Sequence, residues 1–270
     1  MFTWQHIIWL GICLIMIAAL LYCYQRRRPP LQKVLTSALI LAMASEIVKI
    51  LCAIEMVPSA NGDMMLPYLP LEYVPLHFCR IQIIVIALAR FTDSRKLRET
   101  LLAFAYPCCT VGAFFALMIP TVFTADVPVD KAFVSPAAYQ YFLFHAMLVA
   151  LGIIIARSDE IHWERRHIKL ALLVVYGMGF ASIYINSLFA SPTYVDGKLQ
   201  HVDYWTNFFF TYQNPLNIHI TELWQWVLYI GILAVLTAVA VFASYLPVLH
   251  RQKTIDEKSL ANHAGEGPRY

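Results

Sequence analysis

Seven times along the chain an apolar run recurs at about the length needed to cross a bilayer, 17–25 residues. The runs are Ile7–Tyr24, Val34–Ile54, Leu76–Phe91, Leu101–Ile119, Tyr139–Ala156, Leu170–Phe189 and Leu223–Leu246. No other feature narrows the possible folds as much. Of 270 residues, 60% are hydrophobic and 14% charged, and the mean hydropathy is +0.61. A soluble domain of this size has too little interior to hide so much apolar surface. With only 10 Gly and no alternating strand pattern, an outer-membrane barrel is excluded as well. The expectation is an all-α membrane protein: a seven-helix bundle over residues 1–250 and a frayed, charged tail over 251–270.

Charge placement orients the bundle. Segments after spans one, three and five carry Arg26, Arg27, Arg28 and Lys33, then Arg95, Lys96 and Arg98, then Arg157, Arg165, Arg166 and Lys169. The tail adds Arg251, Lys253 and Lys258, whereas the other three connections hold only Lys131 and Lys198. The positive-inside rule puts the N-terminus outside and the tail in the cytoplasm. The positive cluster follows the first apolar run instead of preceding it, so that run reads as a retained anchor and not a signal peptide. These clusters are topology signals and call for no nucleic acid as partner. The formal charge is only +3.

All six cysteines fall inside predicted spans, so structural disulfides in outer loops are not expected. With no CxxC pair and no His/Cys cluster at ligand spacing, neither a structural metal nor a cofactor is expected. Membrane lipid is the expected solvent and a candidate substrate; protein partners are not legible.

Ionisable and polar groups at membrane depth are site candidates by default. They are Glu46 and Lys49 in span two; His77, Cys79, Arg80 and Gln82 in span three; His145 in span five; Asn186 in span six; and Glu222 at the entry of span seven. At a rise of 1.5 Å per residue, Lys49 lies roughly 7 Å below its outer end, Cys79 and Arg80 about 5–6 Å, and His145 about 9 Å. The prediction is a polar cavity in the outer half. Glu46 and Lys49, three apart, share a face and can neutralise each other. His77 and Cys79, two apart, point to opposite sides, so a base for Cys79 must come from another span. Arg80, Lys49 and Glu46 could hold a phosphate or carboxylate, or form a network that only fixes packing. For Asn186 and His145 the plainer role is hydrogen bonding between helices. An aromatic group, Tyr194, Tyr204, Trp205, Phe208, Phe209, Phe210, Tyr212, Trp224 and Trp226, reads as an interfacial belt, or as a lid.

The segment Tyr73-Val74-Pro75-Leu76-His77-Phe78-Cys79, Gly112 to Pro120 closing span four, Tyr141-Phe142-Leu143-Phe144-His145, Asn186 and Asn214-Pro215 resemble the YwaF-like family of bacterial integral membrane proteins. The resemblance covers nearly the whole chain and implies the bacterial cytoplasmic membrane. A eukaryotic branch of similar proteins acts as transmembrane acyltransferases on phospholipids, with a Cys in the span-three motif and a His in a later span. Carried over by motif, these are Cys79 and His145, and Arg80 stands where a small or acidic residue is expected. Two functions follow. One is a lipid acyltransferase or hydrolase with Cys79 as nucleophile and His145 as base. The other is a carrier or receptor for a small polar or anionic ligand. A retinal protein is disfavoured, since the last span has no Lys for a Schiff base.

Overall fold

The computed structural model describes residues 2–59, 61–74, 76–123, 128–196, 198–212 and 219–265, with side chains described for all of these but Glu72 and 260–265. Helix α1 covers Trp4–Arg27. The Thr3 hydroxyl caps it by accepting from the His6 N–H, and Arg28 ends it in the left-handed region at φ 41°. Pro29 and Pro30 follow, and α2 runs Leu31–Ala53. Helix α3, Phe78–Phe91, is a short piece of fourteen residues, about 21 Å long. Helix α4, Arg95–Pro107, continues through a π-helical turn at Cys108–Gly112 into α5, Ala113–Met118. Then come α6, Pro136–Arg157, α7, Arg165–Leu188, and α8, Leu223–Gly265.

Among the described residues six helices are long and apolar enough to cross a membrane: α1, α2, α4 running into α5, α6, α7 and α8. Six of the seven expected spans coincide with these helices to within a residue or two of the apolar run or extend beyond it; the third falls on α3, whose fourteen residues are not among the six. Two expectations change. Helix α8 carries on to Gly265, so residues 251–265 are helical and not frayed; positions 266–270, like Pro75, Asn214 and Pro215, lie outside the described residues. The connections after α2 and α7, read from sequence as plain outer loops, contain antiparallel hairpins. These are β1 (Glu55–Pro58) with β2 (Met65–Tyr68), and β3 (Ala190–Val195) with β4 (Lys198–Tyr204). Their strands are short and almost wholly exposed, so no buried face imposes an alternation that sequence could betray.

The centre of the bundle is α6, flanked by α1, α2, α4 and the π turn. Of its most apolar stretch 72% is buried, against 6% for α8. Leu14, Ile15, Ile40, Leu51, Leu173, Phe180, Val235 and Val239 are exposed on α1, α2, α7 and α8. So wide an apolar surface is stable only against lipid. Gly152 lets α6 touch the π turn, since a Cβ there would stand 2.9 Å from the Thr110 backbone nitrogen.

Proline explains the π turn. Pro107 has no N–H to give the carbonyl four residues back, Ala103, and that carbonyl accepts from the Tyr245 hydroxyl of α8 at 2.7 Å. The exchange is reciprocal: Tyr106 donates to the Ser244 carbonyl at 2.6 Å, three residues before Pro247. Two proline-interrupted helices are thus fastened by a tyrosine from each side.

Basic groups gather at one end. Arg90 bonds Thr36 at 2.6 Å, Arg98 the Ala89 and Thr92 carbonyls, and Arg251 the Ala156 carbonyl at 3.0 Å. These bonds join the start of α2, the end of α3, the start of α4, the end of α6 and the late part of α8. Both hairpins lie at the other end. There His6 donates to the Leu117 carbonyl at 2.9 Å and Trp9 to the Ala132 carbonyl at 3.2 Å.

Candidate functional site

At the hairpin end of α2 and α3 an ion-pair group forms inside the bundle. Glu46 sits between two cations: Lys49 Nζ stands 2.5 Å from one carboxylate oxygen and the Arg80 guanidinium pairs with the other. Lys49 also donates to the Tyr73 carbonyl at 2.6 Å. Only 15% of the Glu46 side chain, 16% of Arg80 and 5% of Lys49 are exposed, so all three face inward as hydrocarbon requires. Among the described residues, one carboxylate against two cations leaves a positive charge unbalanced.

Cys79 follows from the start of α3. His77 takes the N-cap position with extended backbone and makes no side-chain capping bond. The first-turn N–H groups around Cys79 therefore have no capping side chain, which leaves the positive end of the helix dipole beside the half-buried thiol. Since His77 is outside the helix, the phase argument against a His77–Cys79 pair does not apply to it. Its ring meets Phe208 edge-on at 4.9 Å.

His145 is buried in α6, and its Nδ1 stands 2.7 Å from the Tyr141 carbonyl. A carbonyl only accepts, so Nδ1 carries the proton and Nε2 is the basic nitrogen. Nε2 has no hydrogen-bond partner among the described residues. Tyr141, one turn earlier, meets the ring at 4.3 Å with the two planes tilted by 45°, and donates to the Ala116 carbonyl at 2.8 Å. No hydrogen bond joins Cys79 to His145. Both lie within electrostatic range of Arg80, as does Tyr141, and His77 lies within range of His145. Arg80 is the group these interactions share: it pairs with Glu46 and acts electrostatically on Cys79, Tyr141 and His145.

Gln82 and Asn186 have structural partners. Gln82, fully buried, accepts from the Cys109 thiol at 4.0 Å and reaches the Phe78 carbonyl at 3.5 Å, linking α3 to the π turn. Asn186 donates to the Phe208 carbonyl at 3.0 Å and Thr211 Oγ1 at 2.9 Å; its Oδ1 accepts from Thr206 Oγ1 at 3.0 Å and the Phe208 N–H at 2.9 Å. An amide has two donors and room for about two acceptances, so the protein itself uses all of them. Asn186 clamps the loop after β4.

The aromatic group divides. Tyr194, Trp205 and Trp224 are exposed, in keeping with an interfacial belt, whereas Phe208 is 1% exposed and plugs the bundle against His77. Phe209 packs on Phe78 at 5.7 Å.

Sequence reasoning missed Tyr73, Tyr141 and Cys109. Tyr141 had a signal, its i to i+4 spacing from His145. For Tyr73 and Cys109 the contact is made by backbone or by a turn whose geometry depends on Pro107.

Comparison with known families matches residues 1–245 to the TMEM164 family. The chain belongs to the TMEM164 family. That is a transmembrane protein family, in agreement with the six apolar helices. No curated protein and no solved structure matches the chain. In this TMEM164-family member Cys79 and Arg80 lie in the first turn of α3, at the hairpin end and opposite the basic end.

Proposed function

We propose that this protein is a membrane-embedded lipid acyltransferase, with α3 as a short seventh span, the hairpin end outside and the basic end in the cytoplasm. The resemblance of the Pro75-Leu76-His77-Phe78-Cys79 segment to the YwaF-like family, and to its eukaryotic acyltransferase branch, supports this reading. So does the positive-inside rule, since every basic cluster lies at one end. Arg90 at the end of α3 can snorkel, which lets fourteen residues serve as a span. The location that goes with the resemblance is the bacterial cytoplasmic membrane.

The observation that carries the chemistry is the tautomer of His145. With Nδ1 held by the Tyr141 carbonyl, Nε2 is available as base, and Arg80 acts electrostatically on both His145 and the Cys79 thiol. In the first half-reaction Nε2 takes the thiol proton and Cys79 Sγ attacks the ester carbonyl of a phospholipid. The tetrahedral oxyanion meets Arg80 and the first-turn N–H groups of α3. Its collapse breaks the ester C–O bond, and the leaving alkoxide takes the proton back from His145, leaving an acyl-thioester. In the second, His145 deprotonates the hydroxyl of a lysophospholipid, which attacks the thioester and releases the thiol. Water in place of that hydroxyl makes the protein a hydrolase.

The unbalanced cation, together with the missing Cys79–His145 hydrogen bond, favours a second reading: an anionic ligand is held between Arg80 and Lys49 without turnover. One experiment separates the two. In nanodiscs carrying a phospholipid with a labelled acyl chain and an unlabelled lysophospholipid, the wild type should transfer label and show an acyl adduct on Cys79 by mass spectrometry. Cys79→Ala should do neither while remaining folded, and His145→Gln should lose roughly 10²–10⁴-fold in rate. Full transfer by Cys79→Ala overturns the acyltransferase reading. Binding of the lipid without transfer in any form leaves the carrier.

A further inference from the structure

At the basic end, far from Cys79, a cleft of about 240 Å³ opens where α4, α6 and α8 meet. Its floor is apolar, built from Tyr106, Ile153, Pro247 and Val248, and its mouth carries Arg157 and Arg251. Arg157 lies about 18 Å along α6 from His145. The opening has a backbone cause. Pro247 removes a rung of the α8 ladder just where the Pro107 π turn interrupts α4, and the Tyr106 and Tyr245 hydroxyls tie off nearby carbonyls. The two helices therefore cannot pack seamlessly here.

The two arginines are not committed equally. Arg157, at the last turn of α6, is exposed and makes no hydrogen bond or ion pair among the described residues. Arg251 spends one nitrogen on the Ala156 carbonyl at 3.0 Å; another stands 3.3 Å from Asp159, whose side chain is 94% exposed. So exposed a pair is worth little and yields to a competing anion. An apolar slot between membrane helices, with two guanidinium groups at the boundary where headgroups lie, has the chemistry of an anionic amphiphile: a phosphate or carboxylate for the fork, a chain for the slot.

We propose that this cleft is a binding site for an anionic phospholipid, its phosphate held between Arg157 and Arg251 and its acyl chain laid along Ile153, Pro247 and Val248. The site is independent of the acyl-transfer reading.

Native mass spectrometry of the full chain, with phosphatidylglycerol and phosphatidylcholine of matched chains, tests it. The wild type should retain phosphatidylglycerol over phosphatidylcholine. Arg157→Gln with Arg251→Gln should lose that preference roughly tenfold or more, and the paired lysine variants should restore most of it. Arg157→Gln alone, at a side chain with no internal bond, keeps the packing intact and should already weaken retention. Ile153→Trp, which fills the slot while leaving both arginines, should weaken it too. Equal retention by the double Gln variant, or by Ile153→Trp, overturns the proposal. So does displacement of the lipid by inorganic phosphate beyond that caused by sodium chloride of equal ionic strength, because the site would then read free phosphate.

Discussion

Glu46 is the residue on which the interior charges depend. Its carboxylate is shared by Lys49 and Arg80, both largely removed from solvent. Removing one partner of a buried pair costs more than the pair contributes, because the remaining charge keeps its desolvation penalty. Glu46→Gln leaves two cations facing each other and should destabilise the protein by about 3 kcal/mol. Arg80→Gln leaves the Glu46–Lys49 pair intact and should cost clearly less. Thermal unfolding in detergent, read as the order of the two variants, checks this; a less stable Arg80→Gln would show that Glu46 is not the hub. The Glu46–Lys49 half of the group was legible in the i to i+3 spacing. Arg80 was expected only to share the cavity, and its pairing with Glu46 rests on how α2 and α3 pack.

At the scale of elements, the loop after β4 is held against its own preference. Phe209 and Phe210 sit at φ 59° and 55°, a left-handed conformation that costs a non-glycine residue about 1–3 kcal/mol. The four hydrogen bonds of Asn186 to Thr206, Phe208 and Thr211 oppose that strain. Asn186→Ala should lower stability by about 3 kcal/mol, the cost of orphaned buried polar groups. It should also speed amide exchange at Phe208, with Asn186→Asp, which keeps both acceptances, in between. Unchanged exchange at Phe208 would mean that Phe packing against His77 and Phe78 holds the loop by itself. Polarity and depth flagged Asn186 from the sequence, but its partners are separated from it by a whole hairpin.

For the whole molecule the expected arrangement is alternation, with hairpins on one side and arginines on the other. Labels on single cysteines introduced at Asn61, Asp130 and Asp196, in a chain cleared of its own six, should react from outside. Those at Ser94 and Asp159 should react from inside. A label at Asp196 accessible from the cytoplasm would remove α3 as a span, since a six-span chain puts the second hairpin on the other face.

Length and composition in the sequence were enough to mark the six long apolar helices and their order, because each depends on local composition against a bilayer of fixed thickness. They also marked Glu46 and Lys49 as a pair on one helix face, which the structure shows joined. The tertiary structure alone decided which side chains meet. The Pro107 π turn changes the helical phase after Cys108, α6 takes the centre, and the Asn186 clamp brings Phe208 onto His77. Each depends on backbone groups that must find partners where a helix is broken. In a membrane those partners come from whatever neighbouring helix lies within reach, and a one-dimensional pattern carries no record of that.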